Sequence, residues 1–145
     1  MAALLILTSL GAEEEMRKAK VLDMQGNIVL IRGEEKLPLE VGMEVLQGDV
    51  LVTKADSWAF VKIDGIKQAR VELKENSQLL FLEMVMDKEK ERQNTLLDLA
   101  IGRVLVRVEE VPGEDSKFEV KTPTTLIGTM GKGESSFSVE VESIE

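Results

Sequence analysis

At 145 residues the chain fits one domain with a real core, and its 43% apolar and 31% charged content is that of a folded protein. The formal charge of −9 opposes a surface built for phosphate backbones or anionic lipid, and the lack of any cysteine or histidine excludes disulfides, thiolate and imidazole catalysis and the usual zinc ligands. With only 3% aromatic residues the core must be aliphatic, and nucleic acid is not an expected partner.

Residues 1–12, MAALLILTSLGA, form an uncharged apolar block that ends at Glu13, Glu14 and Glu15. The block is too short to cross a bilayer, which needs about 20 apolar residues. It suits the hydrophobic part of a secretory signal, with small residues for cleavage near Gly11 and Ala12, although the basic start of such a signal is missing. The expectation is a signal peptide or its remnant over 1–12, and hence a periplasmic or secreted protein without a transmembrane helix. A buried N-terminal helix or strand is the alternative. Residues 13–20, EEEMRKAK, read as a solvated lead-in, and the folded domain is expected over 21–142.

Two apolar runs, residues 21–24 and 28–31, are joined through Gln25-Gly26-Asn27, a hairpin signature. The second run is apolar on both faces, which predicts a central strand. The most legible stretch is residues 39–65, LEVGMEVLQGDVLVTKADSWAFVKIDG, read as two strands and three turns. Gly42 and the Gly48-Asp49 pair are predicted turn residues, because glycine accepts positive φ and an aspartate carboxylate can bond a nearby backbone N–H. Val50, Leu51 and Val52 form one strand. After the break at residues 54–57, Ala59, Val61 and Ile63 recur at period two until Asp64-Gly65, a favoured hairpin pair. Trp58, the single tryptophan, reads as a partly buried packing residue and as the best candidate for an interface anchor.

Residues 69–73 and 79–86 follow as strands separated by the polar KENSQ turn. The highly charged DKEKERQN stretch at residues 87–94 is read as the tip of a long hairpin rather than a helix, since strands flank it. Val104, Val106 and Val108 alternate with Arg103 and Arg107, predicting a strand with one wet face. Pro112-Gly113 marks a turn, Thr122-Pro123 another, with Pro123 as its rigid residue. Phe137, Val139 and Val141 alternate in the last strand. About nine or ten short strands at spacings near ten residues predict an all-β fold, an antiparallel β-sandwich or rolled barrel. No internal repeat is evident.

The residues offer no reaction centre. GTMGKGESS at residues 128–136 lacks a phosphate-binding loop, because Leu126 and Gly133 stand where glycine and Ser or Thr are needed. Asp49, Asp56 and Asp64 are too scattered for an alternating calcium loop. Ser77, Ser135 and Ser136 have no histidine base, and Glu72, Glu75 and Glu83 lie along polar strand faces, where chance carboxylate pairs are easily found among 27 acidic residues. No catalytic residue, metal or cofactor is predicted.

Residues 39–53, with Gly42-Met43 and Gln47-Gly48-Asp49-Val50-Leu51-Val52-Thr53, resemble the FecR domain, as do the Ser57-Trp58-Ala59-Phe60-Val61 run and Asp64-Gly65. Further on, Val71-x-Leu73-x-Glu75-Asn76-Ser77-x-Leu79, Gly102-Arg103-Val104 and Phe118-x-Val120-x-Thr122-Pro123-Thr124 continue the resemblance, which covers about residues 21–141. After Thr122-Pro123 the family usually runs through Arg-Gly-Thr to a Phe. Here Met130-Gly131-Lys132 stands in that place and Phe137 follows about three residues late, so Met130 and Lys132 join Trp58 as candidate interface positions. The resemblance implies an extracytoplasmic all-β domain that is not an enzyme. It further implies a binding or structural module acting through protein or cell-envelope contacts. A second reading is a component of FecR-type cell-surface signalling that regulates a sigma factor through a membrane partner. A carbohydrate-active enzyme is the weakest reading.

Overall fold

Period-two alternation buries one face of nearly every strand in the computed structural model, which describes residues 14–64, 69–87, 89, 92–108, 116–130 and 135–141. The strands in chain order are β1 (Glu14–Met16), β2 (Ala19–Gln25), β3 (Ile28–Arg32), β4 (Glu35–Pro38), β5 (Glu44–Val45), β6 (Val50–Thr53), β7 (Trp58–Ile63), β8 (Ala69–Leu73), β9 (Gln78–Asp87), β10 (Arg92–Val108), β11 (Lys117–Lys121), β12 (Leu126–Met130) and β13 (Ser135–Val141). Nine of them lie on one path, β4-β3-β6-β9-β10-β8-β7-β2-β5, curled into a half-barrel. The chain is all-β, as the alternation predicts.

The central strand β10 belongs to both halves of this sheet. Its residues from Arg92 to Ile101 pair with β9, and those from Val104 to Val108 pair with β8. The change of partner falls at Gly102, whose φ of 103° is open to glycine and strained for any other residue. A strand that bends at such a point lets one sheet fold over its own core. Leu30, Leu51, Leu79, Phe81, Leu97 and Leu99 from one half, and Val61, Ile63, Val71, Leu73 and Val104 from the other, are fully buried and form a single cluster. Each such side chain contributes about 1.5–3 kcal/mol by leaving water.

The remaining strands extend this frame. β1 pairs with the far end of β9, β11 runs parallel to the first part of β10 and carries β12, and β13 pairs with the second part of β10. A register shift opposite Leu96 and Leu97 leaves Leu82 as an extra, 39% exposed residue in β9, so that Phe81 and Met84 both point inward.

Three expectations are corrected. Gln25-Gly26-Asn27 does not close a hairpin: β2 pairs with β5 and β7, whereas β3 pairs with β4 and β6, so the turn carries the chain from one half to the other. Residues 39–65 hold three strands rather than two, because Glu44 and Val45 pair with Lys20 and Ala19. Residues 14–20 belong to the sheet rather than to a solvated lead-in, since β1 pairs Glu14 with Asp87 and Ala19 is fully buried. β9 and β10 pair antiparallel as the predicted long hairpin requires, with Asp87 opposite Arg92, and residues 88, 90 and 91 of its tip lie outside the described residues. β7 and β8 also form a hairpin, Ile63 opposite Ala69.

Candidate functional site: a groove beside two matching corners

Residues 54–57 link β6 to β7 and residues 74–77 link β8 to β9, each link crossing between the halves of the sheet. The two corners are built alike. In both, the residue before the serine has positive φ, 58° at Asp56 and 53° at Asn76, a region that Asp and Asn tolerate better than bulkier residues. Ser57 Oγ donates to Ala55 O at 3.2 Å and accepts from Asn27 N at 2.8 Å. Ser77 Oγ donates to Glu75 O at 3.0 Å and accepts from Arg103 N at 3.0 Å. Lys54 N donates to Asn27 O and Lys74 N to Arg103 O. The corners are tied to each other by Thr53 Oγ1 donating to Lys74 O at 2.6 Å and by Asp56 N donating to Glu75 Oε1 at 2.7 Å.

A groove of about 610 Å³ opens beside these corners, with Gln25, Trp58, Lys74, Glu75, Arg103 and Glu140 among its lining residues. Trp58 stands half-buried on the outward face of β7, opposite Gln25 of β2. The groove combines one large aromatic surface with charges of both signs on a backbone that its corners hold rigidly. Ser57 and Ser77, at 2% and 1% exposure, spend their hydroxyls on backbone groups and have no imidazole beside them. Such an arrangement can seat a side chain or ligand.

Among the described residues Gly42 and Gly48 stand in turns, Pro123 in a bend, and Asp49 and Asp64 beside strand ends. Gly42 and Gly48 have φ of 93° and 97°. Asp49 is 1% exposed: its Oδ2 accepts from Leu46 N at 2.8 Å, and its carboxylate takes both Arg32 Nε at 3.0 Å and Nη2 at 2.7 Å. That hydrogen-bonded ion pair raises the Arg32 pKa. Asp64 follows the last residue of β7, and Pro123 sits in the turn where Thr122 Oγ1 accepts from Thr125 N at 3.0 Å. Of the three candidate interface positions, Trp58 lines the groove, Met130 ends β12 opposite Lys117 in a different part of the sheet, and Lys132 lies outside the described residues, as does Gly65. The groove's partners of Trp58 were not singled out from the sequence. The signal that could have found them is the Lys-x-Asp/Asn-Ser pattern, which occurs at residues 54–57 and again at 74–77.

A second buried polar feature holds the start of the sheet. Arg17 is 7% exposed and donates to Val85 O at 3.2 Å, Asp64 O at 3.0 Å, Asn94 O at 2.7 Å and Thr95 Oγ1 at 2.5 Å, thereby joining β9, β10 and the end of β7. Burial lowers its pKa to about 10, against the opposing pull of Asp64 and Glu83.

Among the described residues no helix is long and apolar enough to cross a membrane. No curated protein and no solved structure matches the chain. The sequence profile described as FecR protein matches residues 49–143, from the buried Asp49 through both corners and the groove to the end of the last strand. FecR domains are associated with regulators of cell-surface signalling. By this match over most of its length, the chain belongs to the FecR family.

Proposed function

We propose that the chain is a non-catalytic, extracytoplasmic binding module that contacts a protein or cell-envelope partner through the groove beside Trp58. The observation that carries this reading is the position of the sole tryptophan: half-buried at a groove wall, beside Arg103 and Glu75, on backbone fixed by two hydrogen-bonded corners. A large, rigid aromatic surface rimmed by charges is the composition of an interface anchor. The buried serines, committed to backbone and lacking a base, favour recognition over chemistry. A periplasmic or secreted location is supported by the apolar block at residues 1–12 and by the association of the family with cell-surface signalling.

The same association supports a second reading, in which the contact regulates a sigma factor through a membrane partner. Capture from envelope extract distinguishes a specific module from an inert one. Wild-type protein should retain a discrete partner that Trp58→Ala and Arg103→Glu lose at unchanged thermal midpoint. Identical retained sets for all three proteins would refute the groove as the contact surface.

A further inference from the structure

The groove beside Trp58 is lined by a row of side chains in register across the sheet. Gln25 of β2 stands opposite Trp58 of β7, and Arg103 of β10 stands opposite Glu140 of β13. Lys74 comes between them. Ala59, Leu73 and Val104 pair with one another, Trp58, Lys74 and Arg103 are each the adjoining residue, and Lys74 N donates to Arg103 O at 2.9 Å. Ala59, Leu73, Val104 and Val139 are buried, so the residues beside them face outward. Neighbouring strands lie about 4.8 Å apart, and the row therefore sets out amide, indole, ammonium, guanidinium and carboxylate over roughly 19 Å.

Lys74 is the committed member, its Nζ donating to Glu72 Oε2 at 2.6 Å. Arg103 is bonded to Ser77 through its backbone alone. Among the described residues the side chains of Gln25, Trp58, Arg103 and Glu140 enter no hydrogen bond or ion pair, although Arg103 and Glu140 stand opposite each other. Three polar heads and the indole N–H are thus turned into the groove with their bonding capacity unspent inside the protein.

This chemistry selects among ligands. An apolar ligand would strip water from the polar heads and give no hydrogen bond in return. A polyanion would meet Asp56, Glu75 and Glu140 as well as Lys74 and Arg103, on a chain of net charge −9. An extended peptide is recognised along a free sheet edge, whereas Trp58 and Arg103 lie on the interior strands β7 and β10, and a docked helix needs an apolar stripe where this row has one large apolar surface. A saccharide meets each condition. The C–H bonds on one side of a pyranose ring form a flat apolar face that packs on an indole, and its hydroxyls both donate and accept, which suits an amide, a guanidinium and a carboxylate alike. We infer that the groove binds a neutral saccharide chain, one ring stacked on Trp58 and the hydroxyls of the rings to either side bonded by Gln25, Arg103 and Glu140. The inference rests on the binding-module reading of the groove and names the class of ligand.

With one tryptophan and no tyrosine in the chain, intrinsic indole fluorescence reports Trp58 alone. Titration of the full chain with chitohexaose, cellohexaose and maltohexaose should give a saturable change in that signal with at least one of them. Acyclic sorbitol at the same hydroxyl concentration should give none, and the affinity should hold at high salt because the ligand carries no charge. By calorimetry, Trp58→Ala should weaken binding by about tenfold or more, and Arg103→Ala and Gln25→Ala by about three- to tenfold each. Lys62→Ala, outside the groove, should leave it unchanged. Arg103 and Gln25 are exposed, so their variants keep the comparison open should Trp58→Ala fail to fold. No response to any of the hexasaccharides, a response matched by sorbitol, glucose binding as tight as that of the hexamers, or wild-type affinity in the groove variants would overturn the inference. If the hexasaccharides fail while envelope extract still yields a protein held through Trp58, the saccharide assignment falls and the binding-module reading stands. Failure of both refutes both.

Discussion

Gly102 and Ser77 meet where the two halves of the sheet join, so closely that a Cβ built on Gly102 falls 2.0 Å from Ser77 Oγ and 2.4 Å from Ser77 Cα. The contact fixes the bend in β10 and, through the Ser77 bond to Arg103 N, the wall of the groove. Gly26 and Ser57 repeat it at the other corner, with a Cβ on Gly26 falling 2.3 Å from Ser57 Oγ.

Gly102→Ala should therefore be among the most damaging small substitutions in the chain. It forces an alanine into positive φ, at about 1–3 kcal/mol, and collides with backbone as well as side chain. Ser77→Ala should cost about 1–3 kcal/mol by leaving Arg103 N–H without its acceptor. Urea denaturation ranking Ser77→Ala as more damaging than Gly102→Ala would contradict this picture of the corner.

Asp49 and Arg32 should couple in a double-mutant cycle. Asp49→Ala removes the acceptor of Leu46 N and of two Arg32 nitrogens, at about 1.5–3 kcal/mol. The guanidinium it releases is 39% exposed and can turn to water, so the cost stays below that of stranding a buried charge. Arg32→Ala should cost more, about 3–5 kcal/mol, because it leaves the buried Asp49 carboxylate without its cation, and the double variant less than the sum. Strict additivity would show that the pair is not a unit.

Arg17→Met should lower stability at neutral pH by about 1–3 kcal/mol, because the carbonyls of Val85, Asp64 and Asn94 lose their donor. Arg17→Lys should rescue little, since one ammonium cannot span the same three elements. The pH dependence has a definite sign. With a folded pKa of about 10, well below that of the free group, the unfolded chain binds more protons above that pH, so this group's contribution becomes more favourable as pH rises through about 10. Wild type should gain on Arg17→Met between pH 9 and about 11 in parallel urea titrations, and a shrinking gap would contradict the burial of this charge.

Much of this fold is written locally. Val61 and Ile63 flank Lys62, and Val106 and Val108 flank Arg107, because one face is wet, and the period alone locates their strands. Turn residues mark where strands end but carry no statement of where the next strand pairs. Gln25-Gly26-Asn27 has the chemistry of a hairpin and instead crosses between halves, since the partner of β3 is chosen by long-range burial against β6. Glu14 and Glu15 show no alternation, being held through backbone pairing to the overhang of β9, so their strand has no periodic signal. Parallel pairing of β11 with β10 joins residues whose order in the chain gives no hint of it. Trp58 was legible as an anchor from its uniqueness. The groove was not, because Gln25 meets it through long-range strand pairing and Arg103 and Glu75 through the crossings.

The edge strand β12 should govern self-association. Among the described residues it pairs only with β11, Leu126 is 56% exposed, and residues 122–131 carry no charge. Natural sheets protect such edges with charged residues. Leu126→Lys should reduce concentration-dependent light scattering without lowering the thermal midpoint. Unchanged scattering would place any association elsewhere.

The most direct measurement of how this FecR-family chain works is site-specific photo-cross-linking in cells that make it. A photoreactive residue at Gln25 or Glu75, in the groove wall, should give a discrete adduct with one partner, and the same residue at Lys36, on the exposed edge strand β4, should give none. Loss of the groove adduct on adding Trp58→Ala would tie it to the tryptophan surface. An adduct from Lys36 with no adduct from either groove position would contradict the assignment of the groove as the binding surface.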